Sequence, residues 1–122
     1  AARLLKTNTA TIQFDRFQSA KMLHEKYQGP VVLKGSGSIV VDSRGTSFVC
    51  DAGNPGMSSG GMGDVLTGVI AGLIAQGLEI NLATVLGVSM HARAGDIAAT
   101  LGERGMMATD LMPYLRELAN PK

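Results

Sequence analysis

Tryptophan is absent from the 122 residues, and only two tyrosines and three phenylalanines are present. A chain so poor in aromatics has little with which to stack on bases or sugars, which argues against that mode of nucleic-acid recognition. Charge of one sign is lacking too. The formal net charge is +1, so neither a nucleic acid nor an anionic membrane surface is expected as a partner. Cysteine occurs once, at Cys50, which excludes an intrachain disulfide framework and fits a reducing cytoplasm. No long hydrophobic run is present: the longest uncharged stretch, residues 65–78, falls short of the ~20 apolar residues of a membrane-spanning helix, and it contains Thr67, Gln76 and three glycines. The opening residues show no basic-then-apolar-then-small pattern of a secretory leader.

What is abundant is glycine. Sixteen glycines in 122 residues is about twice the ~7 % average, and most fall between Gly29 and Gly77. An apolar fraction of 45 % is otherwise that of an ordinary globular chain long enough for one modest domain. Residues 1–6, Ala-Ala-Arg-Leu-Leu-Lys, read as the middle of a helix with no capping residue before it, so a piece of a longer protein is expected.

After a loop at residues 7–11, the spacing of Phe17, Ala20, Leu23, His24 and Tyr27 predicts one amphipathic helix over residues 12–27, stopped by Gly29-Pro30. Val31–Leu33 is a β-branched apolar run, the pattern of a strand buried on both faces. Residues 38–42 and 46–51 read as two more strands joined by a turn at Asp42-Ser43-Arg44-Gly45. Residues 52–60 are too rich in Gly, Pro and Ser for regular structure. Helices follow over residues 61–76, with Gly77 as C-cap, over about 80–101, and over about 109–118, with Thr109-Asp110 as cap and Pro113 in the first turn. Three strands backed by four helices leave sheet edge uncovered, which invites pairing with something else.

The segment Gly53-Asn54-Pro55-Gly56-Met57-Ser58-Ser59-Gly60-Gly61-Met62-Gly63-Asp64 follows a strand and opens an apolar helix. Glycines there let backbone N–H groups approach a ligand, and the helix start adds unpaired donors and the positive end of a dipole. The combination suits a phosphate or a developing oxyanion. Asp64 could take a proton from a hydroxyl or hold a phosphate-bridging metal, although an acid in a first turn is also favoured by the dipole alone. This is not a Walker A loop, because no Gly-Lys-Ser/Thr follows, nor a dinucleotide fingerprint, because Leu66 stands where the third glycine belongs. A second segment, Lys34-Gly35-Ser36-Gly37-Ser38, could bring backbone and a lysine to a nucleotide, or could simply join two strands.

Together the two segments resemble the ADP-dependent NAD(P)H-hydrate dehydratases, whose members often read Lys-Gly-Ala-Gly-Thr and Gly-Asn-Pro-Gly-Met-Ala-Thr-Gly-Gly-Met-Gly-Asp at these places. The resemblance runs on through His91, Arg104-Gly105-Met106 and Thr109-Asp110-Leu111, and so covers nearly the whole chain. Departures are small: Ser36 for Ala, Ser38 for Thr, Ser58-Ser59 for Ala-Thr. The resemblance implies a three-layer αβα, ribokinase-like α/β fold, of which residues 1–122 would be the C-terminal half. It implies a cytoplasmic lyase that repairs hydrated NADH or NADPH, with ADP as co-substrate, AMP and phosphate as products, and magnesium whose ligands the sequence does not identify. Asp64 would contact the hydrate and deprotonate its hydroxyl. Gly61 and Gly63, with the residue between, would form the anion hole. Lys34, Gly35, Ser36, Gly37 and Ser38, with Gly63, would line the AMP site. The implied partners are the hydrate, ADP or AMP, the missing N-terminal half of the domain and further copies in a homo-oligomer. A small-molecule kinase of the same fold, or a catalytically silent interaction module, are the competing readings.

Two residue types have plainer readings. His91, in an apolar helix beside Met90 and Ala92, is expected to be a packed histidine, and the seven methionines to fill core, with Met57 and Met62 shaping the glycine loop.

Overall fold

The computed structural model describes residues 1–120, which form parts of two compact units, residues 1–50 and the residues from Asp51 onward. No helix among the described residues is long and apolar enough to cross a membrane.

The first unit is three short helices and an antiparallel sheet: α1 (Ala2–Leu5), α2 (Thr9–Phe14), α3 (Arg16–Tyr27), β1 (Val31–Leu33), β2 (Ser38–Val41) and β3 (Ser47–Cys50), in the sheet order β1-β2-β3. The expected single helix over residues 12–27 is in fact two. Asp15 adopts extended backbone, and its carboxylate accepts the Gln18 N–H at 2.9 Å, so it ends one helix by capping the next. Asn8 caps α2 in the same way through Thr11 N at 2.8 Å. Ala20 and Leu23 are buried, but Phe17 and Tyr27, expected beside them, are 49 % and 52 % exposed.

Strand burial also differs from expectation. The strand buried on both faces is β2, with Ile39, Val40 and Val41 all buried, whereas β1 is an edge strand whose Val31 and Val32 are half-buried. Its register, Val31↔Val41 and Leu33↔Ile39, sets Leu33, Ile39 and Val41 against Ile12 and Ala20 in one apolar cluster. The β2–β3 turn is where it was expected. The buried Asp42 carboxylate accepts N–H groups of Arg44 at 2.9 Å and Thr46 at 2.8 Å, and Gly45 takes φ +82°.

The second unit is helical: a 3-10 turn (Pro55–Ser58), α4 (Met62–Ala75), α5 (Ile80–Ala99), a second 3-10 turn (Ala108–Leu111) and α6 (Met112–Leu118). α4 ends as its sequence predicts, with Gly77 at φ +95° and the paired bonds Gly77 N to Ile74 O and Leu78 N to Leu73 O. Glu79 caps α5 through Asn81 N and Leu82 N. α4 and α5 approach so closely at Gly87 that a Cβ there would lie 2.6 Å from Ile70 Cγ1. The core joins Met62, Ala94, Ala98, Met106, Leu111 and Leu115, with Met57 and Val65 packed against it; His91 is buried in α5.

Candidate functional site

The glycine segment is anchored at its apolar residues and open at its glycines. Met62, first residue of α4, is 1 % exposed and points into the core, while its neighbours Gly63 and Asp64 are exposed. Gly61 precedes them at φ +85°, a left-handed conformation that favours glycine, and a Cβ there would press on Ala108 Cβ at 3.3 Å. Gly60 and Gly63 have no such reason to be glycine, since a Cβ at either would meet nothing within 4 Å. The N–H groups of Met62, Gly63 and Asp64 have no carbonyl a turn earlier in the helix to bond, and the first helical bond of α4 runs from Val65 N to Gly61 O at 3.0 Å. Donors, dipole and carboxylate therefore meet at one exposed turn.

Like Glu25, Asp51, Glu103 and Glu117 among the described residues, Asp64 has no side-chain hydrogen bond or ion pair, which sets it apart only from the acids that cap turns and helices. Asp15, Asp42, Glu79, Asp96 and Asp110 each accept at least one backbone N–H. Among the described residues Asp64 accepts none, nor does it pair with a cation.

The second candidate segment links β1 to β2. Lys34, Gly35 and Ser36 are exposed, Gly37 (φ +66°) and Ser38 half-buried. The Ser38 hydroxyl bonds back to the Gly35 carbonyl at 3.3 Å. Arg16, which sequence reasoning passed over, holds the linker from α3: Nη1 donates to Ser36 O at 2.6 Å and Nη2 to Leu33 O at 3.2 Å. A Cβ on Gly35 would sit 2.6 Å from that guanidinium, the far end of a flexible side chain, which would have to shift to admit it. Gly61, Gly63 and Asp64 thus come together in the second unit, and Lys34, Gly35, Ser36, Gly37 and Ser38 form one linker in the first.

Among the described residues no three His, Cys, Asp or Glu side chains converge to hold a metal ion. Asp64 alone, the one carboxylate of the loop, does not make a magnesium site.

An antiparallel hairpin sheet followed by a glycine loop that opens a helix, with an acid in its first turn, makes this an α/β chain, and the fold has close counterparts. It superposes on the Bacillus subtilis protein YxkO with a TM-score of 0.85 at 24 % identity, covering 91 % of this chain and 42 % of that one. It also matches the B. subtilis ADP/ATP-dependent NAD(P)H-hydrate dehydratase co-crystallised with ATP and Mg2+ and soaked with coenzyme A, with a TM-score of 0.79 at 26 % identity over 86 % of this chain and 39 % of that one. The fold is the ribokinase-like α/β fold. The family model described as NAD(P)H-hydrate dehydratase matches residues 1–117, and the chain belongs to that family. Bifunctional NAD(P)H-hydrate repair enzymes of Coxiella burnetii and Escherichia coli K12 are 52 % and 46 % identical over 99 % and 100 % of the chain. The chain spans about a quarter of the length of these curated relatives, 25 % and 24 % respectively.

Proposed function

We propose that residues 1–122 are the C-terminal half of a ribokinase-like dehydratase domain, and that the protein carrying it repairs hydrated NADH and NADPH at the expense of ADP. The observation that carries this reading is Asp64: an exposed carboxylate without partners among the described residues, set beside three unpaired backbone donors at the start of α4. Membership of the dehydratase family supports the same substrate class.

In this reading the hydrate's ring hydroxyl gives its proton to Asp64 as its oxygen attacks the β-phosphorus of ADP, and the Pβ–O bond to AMP breaks. The N–H groups of Met62 and Gly63, two of those unpaired donors, together with that of Gly61 just before the helix, take the charge that gathers on the transferring phosphoryl oxygens. The carbon–oxygen bond then breaks with loss of phosphate, a ring proton leaves from the adjacent carbon, and the nicotinamide double bond returns. ADP and hydrate are consumed; AMP, phosphate and NAD(P)H are produced. Lys34, Gly35, Ser36, Gly37 and Ser38, with Gly63, line the AMP end. Magnesium, carried mainly by the nucleotide phosphates and water, would supply charge neutralisation. The cytoplasm is the expected compartment, with which the single cysteine agrees. The N-terminal half of the domain completes the site, and a homo-oligomer is the expected assembly.

The test is Asp64→Asn in the complete domain, incubated with hydrated NADH and ADP while AMP release and NADH absorbance are followed. Turnover is expected to fall about 10²–10⁴-fold with AMP affinity within a few-fold, because a base is lost and a ligand contact is not. Retention of more than a tenth of the activity removes Asp64 as the base. Transfer of phosphate to a vitamin precursor or sugar in place of hydrate turnover would make the protein a kinase of this fold.

A further inference from the structure

We infer that two consecutive residues of α5, Gly95 and Asp96, form the clamp that positions the glycine loop for phosphoryl transfer, with Asp96 a positioning residue for the backbone donors at Gly61–Gly63. The inference rests on the function proposed above, but the clamp itself is geometric. Asp96 Oδ2 accepts the Gly53 N–H at 3.0 Å and Oδ1 accepts Asn54 Nδ2 at 3.0 Å, so one carboxylate fixes both the backbone and the side chain at the loop's entrance. Gly95 supplies the seat for the loop's middle. A Cβ there would lie 2.3 Å from Met57 Sδ and 2.7 Å from its Cε, so the thioether occupies the hollow left by the missing side chain. Gly56 passes so close to the Glu103 carbonyl that a Cβ on it would lie 2.8 Å from that oxygen. The loop is therefore fixed at residues 53, 54 and 57 and again at the buried Met62, leaving Gly60, Gly63 and Asp64 free to face a ligand.

Phosphoryl transfer asks little of the protein except placement, and a misplacement of about 1 Å costs about 10²-fold in rate. A helix of twenty residues gives Asp96 a rigid base from which to set that placement. Asparagine at 96 keeps the size but loses the charge that strengthens both hydrogen bonds, and it keeps the second bond only if the Asn54 amide turns over to present its unpartnered Oδ1. Exchanging the two residues, Asn54→Asp with Asp96→Asn, reverses donor and acceptor and restores both hydrogen bonds at constant net charge.

The experiment uses the complete domain and three variants: Asp96→Asn, the exchanged pair, and Gly95→Ala. The last leaves α5 a better helix former while evicting Met57, so it separates loop placement from helix stability. Turnover is measured per ADP-binding site counted by calorimetry, alongside KM for ADP and hydrogen exchange of the peptide covering residues 53–64. Asp96→Asn and Gly95→Ala should each lower kcat per site about 10²-fold with KM for ADP within threefold, and should speed exchange in that peptide. The exchanged pair should recover at least tenfold of the lost kcat. A purely structural role is recognised by a lower melting temperature and fewer ADP sites at unchanged kcat per site, and it overturns the inference. So does unchanged exchange in Asp96→Asn. If the unaltered domain shows no dehydration, the proposed function fails, and exchange then decides the clamp by itself: faster in Asp96→Asn and restored in the exchanged pair upholds it, unaltered overturns it.

Discussion

Gly63 occupies an ordinary helical position with open space where a side chain would be, so neither backbone conformation nor packing requires glycine there. A helical glycine costs roughly 1 kcal/mol relative to alanine, and under the proposed function the approach of a phosphate to the backbone offsets that cost. Gly63→Val should therefore leave the melting temperature of the complete domain unchanged or higher, while ADP affinity drops and turnover falls about 10²-fold. Calorimetry with unchanged ADP binding would remove this turn from the nucleotide site. Asp64 makes the complementary point. A first-turn acid explained by the dipole alone needs no partner and no ligand, so only loss of turnover without loss of affinity distinguishes the base from the ornament of a helix end.

The helices and turns were legible in the sequence wherever a local signal acts alone. Gly77 is one such signal. At φ +95° it closes α4, and an alanine there would meet no neighbour, so Gly77→Ala isolates the cost of left-handed backbone, about 1–2 kcal/mol. Denaturant unfolding of the complete domain should show that loss, and an unshifted midpoint would refute the assignment. The Asp42–Gly45 turn was equally readable. Residues 12–27 were not, because apolar spacing continues across Asp15 while its carboxylate competes for the Gln18 N–H and cuts the helix. Val31–Leu33 read as doubly buried from composition alone, yet an edge or central place depends on pairing with β2, which no local pattern encodes. The site divides likewise. The glycine loop was visible as a motif; the residues that hold it and its counterpart were invisible, since Asp96 acts 43 positions from Gly53 and Arg16 acts 20 positions from Ser36.

The sheet has three strands among the described residues, and β1 and β3 each have one neighbour in it. Since β2 is the strand buried on both faces and is paired on both sides, its backbone groups are satisfied. The open edges belong to β1 and to β3, whose Phe48 and Val49 are 41 % and 54 % exposed. Exposed apolar residues on an edge strand are a template for further pairing, which agrees with the proposal that an N-terminal half completes the domain. The most direct measurement compares the verified 122-residue chain, the upstream half of the domain, and an equimolar mixture, in an assay of ADP-dependent NADH recovery from its hydrate with AMP counted alongside. Neither half should turn over alone, and the mixture should, with one AMP released per NADH recovered. Full activity from the monomeric 122-residue chain by itself, or an intact domain that releases no AMP with hydrated NADH, would contradict the proposed function and its division between two halves.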